Sequence, residues 1–265
     1  MNLFRPIVYP LSEHVKAFST TRRGGVGRGN YATMNVTHYC GDDEQHVQEN
    51  RRILAEWLGT SPERIIVPKQ THQTEVRLIT EENFLQKERL EGVDAIITTT
   101  PGICIGVSTA DCIPILIYDG EKHAAAAIHA GWRGTVNRIA EKTIRCMEKW
   151  CGSRPDALRA VIGPGISLEA FEVGDEVYDA FRQAGFDIQH IAKRFPASNE
   201  TTKEKWHIDL WVCNRHQLIE CGIPDKHIRL SGICTYQQCE DFFSARRLGI
   251  HSGRIYTGVM LLPNK

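Results

Sequence analysis

The sequence of 265 residues predicts a mixed α/β protein. Several short, continuous apolar segments are typical of strands whose two faces are both covered. Other segments repeat apolar side chains at helical spacing and end shortly before a glycine. The two kinds of segment do not alternate strictly, so the pattern predicts a mixed architecture and leaves the strand order open.

Eight apolar runs are predicted as strands, at residues 64–67, 76–80, 94–99, 103–108, 113–118, 124–129, 158–162 and 255–262. Four segments are predicted as helices, at residues 44–58, 135–150, 175–184 and 209–220. Two aspartates precede the first helix and suit its N-cap, and a glycine follows each helix within two residues. The polar residues 196–205 are predicted as an exposed loop of one domain that covers residues 1–265.

The charge balance argues against two broad classes of partner. Lysine plus arginine number 32, and aspartate plus glutamate also number 32, so the formal net charge is zero. Such a chain has no excess of positive charge for general nucleic-acid binding or for a polybasic membrane contact. The N-terminal residues contain no secretory or membrane-spanning run, and no coiled-coil heptad is apparent. We therefore expect a cytoplasmic protein that binds neither nucleic acid nor membrane, as a monomer or a homodimer.

The nine cysteines are predicted to be mostly free thiols. Their number is odd, and their spacing is not that of a small disulfide scaffold. Cys146 with Cys151, and Cys234 with Cys239, lack the two-residue gap of a zinc ribbon. A small buried side chain is therefore the favoured role for most of them.

Three segments place a metal-capable side chain at the end of an apolar strand. They are KQTHQ around His72, STADC ending at Cys112, and IHAGWRG around His129. Strand ends are rigid platforms that deliver side chains into a cleft. Two imidazoles and a thiolate suit a catalytic zinc ion, which would keep one coordination position for water or substrate. The sequence therefore predicts a metal site at these three residues.

The spacing alone leaves other interpretations open. The three side chains are separated by 40 and 17 residues, which matches no short metal motif. Packing in the core is the usual role of a single histidine or cysteine, and Cys112 with His129 could instead be a thiol nucleophile and its base. The zinc deaminase pattern, the H-E-x-x-H motif and the P-loop are absent from the sequence.

Two basic segments are candidates for an anion site. Arg22 lies in TTRRGGVG, whose glycines let the backbone approach an anion, and Arg246 lies in FSARR. Arginine binds phosphate oxygens through two parallel hydrogen bonds, although basic loops are also common on ordinary surfaces. The Gly-Pro-Gly at residues 163–165 is predicted to be a sharp turn near the same cleft.

Taken together, the motifs indicate a family. TTRRGG, KQTHQTEV, VSTADCIP, IHAGWRGT, VIGPGIS and FFSARRLGIHSGR occur in this order. With these motifs the sequence resembles the YfiH family over residues 18–262, a family also known as multicopper polyphenol oxidases, laccases or purine nucleoside phosphorylases. The ADC and HAGWRG elements are the most specific, and QTH stands here where QVH is common.

The resemblance implies both a fold and an activity. The expected fold is a single α/β domain with mixed sheets flanked by helices in four layers, related to the catalytic domain of a bacterial cytotoxic necrotising factor. The resemblance also implies a zinc ion held by His72, Cys112 and His129. The implied reactions are phosphorolysis of adenosine, inosine and S-methyl-5'-thioadenosine, and deamination of adenosine.

The implied mechanism gives roles to further residues. Arg22, which matches the arginine of the family's TTR motif, would hold inorganic phosphate together with Arg246 or Arg133. Asp111, beside the cysteine, would act as an acid/base or would support the ligand, unless it only caps the turn after its strand. His72, Cys112 and His129 would then be catalytic residues as well as metal ligands, and together with Asp111 they would form the expected reaction centre.

Other activities stay open at this point. A multicopper oxidase uses many histidines in H-x-H pairs, and none of the eleven histidines is two residues from another. Copper could still bind the same ligands, so polyphenol oxidation is interpreted as a consequence of copper loading. Some family members edit peptidoglycan precursors by removing a wrong amino acid from a cytosolic UDP-muramoyl compound, an amide hydrolysis that a zinc or Cys-His site can perform. A non-enzymatic binding module is the least favoured alternative, because the metal site and arginines would then have no purpose.

Overall fold

The computed structural model describes residues 4–197 and 203–263. Within these ranges, fourteen strands, β1 to β14, lie at Ile7–Tyr9, Val15–Ser19, Ile65–Ile66, Val76–Ile79, Ala95–Thr98, Cys104–Thr109, Ile113–Asp119, Ala124–Ala130, Leu158–Ile162, Glu172–Val173, Ala192–Pro196, Glu204–Ile208, Ile228–Leu230 and Ile255–Leu261. The same ranges contain seven α-helices, α1 to α7, at Glu44–Leu58, Trp132–Val136, Ile139–Cys151, Asp175–Gln183, Ile188–Ile191, Leu210–Glu220 and Ala245–Leu248.

The largest sheet has six strands in the order β13-β9-β7-β8-β5-β4. Its central strands β7 and β8 are antiparallel, with Ile113 opposite Ala130, and every residue in both strands is buried. Strand β5 is antiparallel to β8, whereas the edge strands β4 and β13 are parallel to their neighbours. The continuous apolar runs of β7 and β8 are therefore explained by cover on both faces.

A second sheet has five strands in the order β1-β2-β14-β6-β3, and a third has the order β10-β12-β11. Strand β14 is antiparallel to both β2 and β6, which brings the C-terminal strand into the middle of the five-stranded sheet. The third sheet is small and antiparallel. Its strand β10 precedes α4 in the chain, and β11 and β12 lie between α5 and α6.

The two large sheets pack face to face and carry helices on their outer faces. One apolar cluster joins β5, β7, β8 and β9 of the six-stranded sheet to β2, β6 and β14 of the other. A second cluster packs α3, α4 and α6 against the outer face of the six-stranded sheet, and a third packs α1 against the outer face of the five-stranded sheet. The arrangement is helix, sheet, sheet, helix, which confirms the predicted mixed α/β fold in four layers.

The structure corrects the helix predicted at residues 135–150. Two helices occupy this segment, because α2 ends at Val136 and α3 begins at Ile139. Between them Arg138 has a φ of 61°, in the left-handed region, and such a residue cannot continue an α-helix. The chain therefore changes direction immediately after the HAGWRGT segment.

The strand predicted at 64–67 is confirmed at Ile65–Ile66, one residue shorter at each end, since Pro62–Arg64 forms a 3-10 turn. The boundaries of the predicted loop are wrong. In the loop predicted at 196–205, Pro196 ends β11 and pairs with Glu204 of β12, so both ends of the segment belong to a hairpin. Residues 198–202 of that predicted loop lie outside the described residues.

The other seven predicted strands are confirmed to within one residue at each end. Six strands are not among the predicted ones, namely β1, β2, β10, β11, β12 and β13. All nine cysteines are free, as expected. None of the helices in residues 4–197 and 203–263 has the length and apolar character needed to cross a lipid bilayer.

Candidate metal centre

One cluster of metal-capable side chains lies at an edge where several strands begin or end. The ligand atoms of His72, Cys112 and His129 all lie within 4.8 Å of one another. Their burial is graded, since the His72 residue is exposed, Cys112 is half-buried and His129 is only 3% exposed. The cluster therefore has a closed floor at His129 and an open side at His72, as a site for an outside molecule requires.

The register of the central strands brings Cys112 and His129 together. Cys112 directly precedes β7, and His129 is the penultimate residue of β8, opposite Pro114. Gly131 follows β8 and packs against Cys112 and His72, because a Cβ atom there would lie 2.9 Å from Cys112 Sγ and 3.1 Å from His72 Cδ2. A glycine is required at this position because a larger residue would push into the cluster.

His72 lies on a loop that has no regular secondary structure of its own. Its φ is 62°, and the backbone N–H groups of Thr71, His72 and Gln73 all donate to the carboxylate of Asp94, at 3.2, 3.0 and 2.8 Å. A carboxylate that accepts three successive amides holds a turn in place much as a bound anion would. The position of His72 thus depends on Asp94.

A second anchor holds the same loop. The side-chain amide of Gln70 donates to the Ser108 carbonyl at 2.8 Å, and the Ser108 N–H donates to the Gln70 side-chain oxygen at 2.8 Å. The side chain thus continues the hydrogen bonding of β6 as an extra strand would. Tyr39 also donates its hydroxyl to Gln70, at 3.2 Å.

The surroundings of the cluster shift the pKa values of Cys112, His129 and Asp94. Burial alone raises the pKa of the Cys112 thiol, but the His129 and His72 rings outweigh this and lower the pKa to about 6. Burial likewise lowers the pKa of His129, but Cys112 and Asp94 reverse the effect and raise it to about 9. For Asp94, burial is the largest influence and opposes ionisation, yet the His129 contact and the loop amides keep its pKa below the ordinary value.

The donor set fits a zinc ion. His129 Nδ1 lies 2.7 Å from Asp94 Oδ1, which leaves Nε2 as the nitrogen available to a metal. Two imidazole nitrogens and a thiolate within one small space are typical of a three-ligand site with an open position. Among the residues that the structure describes, this is the single cluster of its kind. The identity of the metal is a separate matter, because the same donors also suit copper.

Asp111 lies next to Cys112 in a turn with a φ of 89°. One carboxylate oxygen accepts a hydrogen bond from the Thr235 hydroxyl and the other accepts one from the Arg246 N–H, each at 2.7 Å. The Asp111 carbonyl also accepts from Ile166 N–H at 2.8 Å. The turn that presents Cys112 is thus tied to two distant parts of the chain. The predicted Gly-Pro-Gly turn packs beside it, with Gly165 close to the Asp111 carbonyl.

The three predicted phosphate-binding arginines differ in how strongly the protein already engages them. Arg22 donates to the carbonyls of Ala32 and Cys239, at 2.8 and 2.7 Å, and lies 5.0 Å from the Phe243 ring. It therefore ties two loops together. Within the described ranges, its Nη2 makes no hydrogen bond to the protein.

Arg246 is exposed, and both its terminal nitrogens donate to the Glu172 carbonyl, at 3.1 and 3.2 Å. Arg133 is also exposed, and its guanidinium lies 4.3 Å from the Trp132 ring. Across residues 4–197 and 203–263 its guanidinium makes no ion pair or hydrogen bond. Arg133 follows Gly131 by two residues, and of the three arginines it is the one whose guanidinium has no polar partner among the described residues.

Asp94 and Gln70 are the residues that sequence patterns miss. Asp94 precedes an apolar run and was expected only as the first residue of a strand, whereas it is fully buried and bound to two ligand segments. Its one signal is a carboxylate between Val93 and Ala95, where the burial of a charge demands partners. Gln70 lies in the QTH motif itself, so its spacing from His72 was visible but its partner was not.

The fold is that of a known family. Residues 16–262 match the model of the family described as multi-copper polyphenol oxidoreductase laccase, and the chain belongs to this family. Solved structures agree: the chain is similar to the hypothetical protein YfiH of Bacillus licheniformis, with a TM-score of 0.88 at 28% identity over 97% of this chain and 98% of that one. YlmD of Geobacillus stearothermophilus matches with a TM-score of 0.87 at 29% identity, over 99% and 100% of the two chains.

Relatives with assigned activities are more similar in sequence. A purine nucleoside phosphorylase of Bacteroides thetaiotaomicron is 47% identical over 94% of this chain and 92% of the relative. Adenosine deaminase RL5, from an unknown prokaryotic organism, is 44% identical over 93% of this chain and 94% of the relative. These activities are properties of the relatives, and their bearing on this chain is a matter of proposal.

Proposed function

We propose that this protein is a zinc-dependent purine nucleoside phosphorylase that acts on adenosine, inosine and S-methyl-5'-thioadenosine and also deaminates adenosine. The observation that carries the proposal is the open cluster of His72, Cys112 and His129. Arg133, two residues after Gly131 in the sequence, adds an exposed guanidinium with no ion pair or hydrogen bond among the described residues. The two relatives named phosphorylase and deaminase support it, because each is similar to this chain over more than nine-tenths of both lengths.

In this proposal His72, Cys112 and His129 hold the metal and line the reaction site. A zinc ion at this position would supply a Lewis acid with one open coordination position. The closed floor at His129 keeps bulk water away from one side, and the exposed His72 marks the entrance for the substrate. The reaction therefore takes place at the mouth of the cluster.

In phosphorolysis, inorganic phosphate must be held beside the glycosidic bond, and a cationic side chain can bind this anion. A phosphate oxygen forms a bond to the anomeric carbon, the bond from that carbon to the purine nitrogen breaks, and the purine leaves with the electron pair and takes up a proton. Arg133 is assigned the main contact with phosphate, since its guanidinium is exposed and makes no ion pair or hydrogen bond within the described part of the chain. Arg246 and the Nη2 group of Arg22 are assigned to the same anion in supporting roles.

Deamination at the same site exchanges the purine amine for an oxygen from water, and ammonia leaves. Asp111 is assigned to hold the turn of Cys112, because both of its oxygens already accept hydrogen bonds from Thr235 and Arg246. It reaches the reaction through Cys112 and not as a free acid or base. One metal site thereby serves two reactions on one class of substrate.

Copper loading gives a second candidate activity, because the family description names a multi-copper oxidoreductase. The described residues hold one cluster of three metal-capable side chains, which suits one ion. A true multicopper oxidase needs several ions and many more histidines. We therefore propose that oxidation of polyphenols, where it occurs, follows from copper occupying the zinc ligands.

The test is a product assay on purified protein of measured metal content. Zinc-loaded protein should convert adenosine to adenine and ribose 1-phosphate only when phosphate is present, and to inosine when phosphate is absent. Inosine and S-methyl-5'-thioadenosine should be cleaved in the same phosphate-dependent way. A copper-loaded sample assayed with a polyphenol separates the second activity. Zinc-loaded protein that forms none of these products would contradict the proposal.

A further inference from the structure

We propose that Asp94 is the positioning residue of the metal centre. Its carboxylate fixes the imidazole of His129 with Nε2 turned toward Cys112, and it fixes the loop that carries His72. The inference rests on the proposed metal site, although its test reads metal binding and ring protonation and not nucleoside turnover.

Asp94 is built into the sheet at the point where both ligands meet. It directly precedes β5 and is fully buried. Its backbone N–H donates to the Glu75 carbonyl at 3.0 Å, and its carbonyl accepts from the His129 N–H at 2.8 Å. Because β5 pairs with β8, the Asp94 backbone cannot move away from His129 without breaking this ladder.

Both oxygens of the carboxylate are fully used. Oδ1 accepts from His129 Nδ1 at 2.7 Å and from the His72 N–H at 3.0 Å. Oδ2 accepts from the Thr71 N–H at 3.2 Å and from the Gln73 N–H at 2.8 Å. Four donors converge on one side chain, and two of them belong to residues that would bind the metal. A buried carboxylate with four donors is an organised acceptor and not a chance contact.

The contact with His129 decides which ring nitrogen can bind a metal. Only a protonated nitrogen can donate to a carboxylate, so Nδ1 carries a proton, and Nε2 is the nitrogen that can lose its own proton and offer a lone pair to a metal. A metal ligand needs that lone pair. The contacts with the loop position the other candidate ligand. They hold His72 at a φ of 62°, a conformation that a histidine seldom adopts without support.

Asparagine at position 94 has nearly the same shape and removes this organisation in either orientation. With its NH2 group in place of Oδ2, it faces the N–H groups of Thr71 and Gln73, and donors oppose donors. With its NH2 group in place of Oδ1, it faces the His72 N–H and also donates to His129 Nδ1, which moves the ring proton to Nε2. Both orientations weaken metal binding, the first through the loop and the second through the ring.

The chain offers a matched control in Asp119. It is also fully buried, it ends β7 about 20 Å along the strand from Cys112, and its Oδ1 accepts from the N–H groups of Glu121 and Lys122. Asp119 Oδ2 has no hydrogen-bond partner within the described residues, so the NH2 group of an asparagine has a place that opposes no donor. Asp119→Asn thus removes a buried charge without touching the metal centre.

The experiment compares wild-type protein, Asp94→Asn and Asp119→Asn by competition for zinc with a chromophoric chelator. We expect Asp94→Asn to bind zinc about 10- to 100-fold more weakly than wild type, the range found when a partner of a metal ligand is removed, and Asp119→Asn to match wild type. Circular dichroism checks that each variant is folded. Equal zinc affinity in wild type and folded Asp94→Asn would overturn the role of Asp94 alone, and absence of zinc binding in wild type would overturn the metal site with it.

A second measurement does not need the variant to fold. In zinc-loaded wild-type protein labelled with ¹⁵N-histidine, the Nδ1 of His129 should carry a directly bonded proton and Nε2 should not. An aspartate with only a structural role would not decide which ring nitrogen of His129 carries the proton. A proton on Nε2 of the loaded protein would overturn the proposal, and its presence on Nδ1 supports it.

Discussion

Gly131 lies so close to Cys112 that a Cβ atom at position 131 would stand 2.9 Å from the sulfur. The same atom would stand 3.1 Å from His72 Cδ2, so the glycine touches two of the three candidate ligands. Its φ is −66°, which any residue can adopt. The glycine is thus needed for space and not for backbone freedom.

Gly131→Ala should therefore weaken the metal site while the fold stays intact. Crowding a packed site costs about 1–3 kcal/mol, which corresponds to roughly 5- to 150-fold weaker zinc binding. Gly134→Ala is the control in the same motif, because a Cβ there would meet its nearest atoms at 3.4 Å, an ordinary contact. Zinc competition measures both variants. Equal zinc affinity in the two variants would contradict this prediction, because it would show that a side chain at position 131 does not crowd the cluster.

Arg133 and Arg22 should separate in their effects. Arg133→Met removes an exposed guanidinium that makes no ion pair or hydrogen bond in the described chain, so it should raise the KM for phosphate roughly tenfold or more and leave Tm nearly unchanged. Arg22→Met strips the Ala32 and Cys239 carbonyls of their donor, so it should lower Tm by several degrees. Phosphate titrations and thermal melts test both. A phosphate KM that is unchanged in Arg133→Met would contradict its assignment.

Removal of the metal should expose one reactive thiol. In metal-free protein the pKa of Cys112, lowered to about 6 against the effect of burial by its two histidine neighbours, makes it mostly thiolate at pH 7. Burial raises the pKa of Cys40, Cys146, Cys151 and Cys221 instead. Iodoacetamide at pH 7 should modify Cys112 before these, and the rate should fall as the pH drops through about 6 because the thiolate becomes protonated. Mass spectrometry locates the label, and zinc should block it. Labelling of Cys112 that zinc does not slow would contradict its role as a ligand.

Gln70→Leu should loosen the loop of His72. The change leaves the buried Ser108 N–H and carbonyl without partners, at a cost of about 1–3 kcal/mol. Both Tm and zinc affinity should fall, since the loop carries a ligand. Gln73→Leu alters an exposed side chain in the same loop and keeps its backbone bond to Asp94, so it should leave Tm near the wild-type value. A Gln70→Leu protein as stable as Gln73→Leu would show that Asp94 alone holds the loop.

Much of the fold follows from local sequence patterns. The eight confirmed strands are largely apolar runs that end at polar residues or turns, and a glycine follows each of the four predicted helix segments. The patterns do not predict β10 and β13, because these strands have only two or three residues. They do not predict β12, because its first two residues are exposed. The break at Arg138 has no local signal, since an arginine in the left-handed region is set by tertiary packing.

The candidate ligands could be predicted, but their support could not. His72, Cys112 and His129 belong to recognisable motifs at the ends of apolar runs, whereas Asp94 is a lone carboxylate 22 residues from His72 and 35 from His129. Its importance arises from strand pairing between β5 and β8, which sequence periodicity does not specify. The same is true of Arg22, whose TTR motif indicates an anion site while its contacts show that it also ties two loops together.

The most direct test of metal-dependent phosphorolysis is adenine release from adenosine and phosphate by zinc-loaded wild-type protein and by Cys112→Ala, with the zinc content of each sample measured. We expect phosphate-dependent adenine and ribose 1-phosphate from wild type. We expect neither product from the variant, although circular dichroism should show the same fold. Full phosphorolysis by a zinc-free Cys112→Ala protein would contradict a metal-dependent reaction at this cluster.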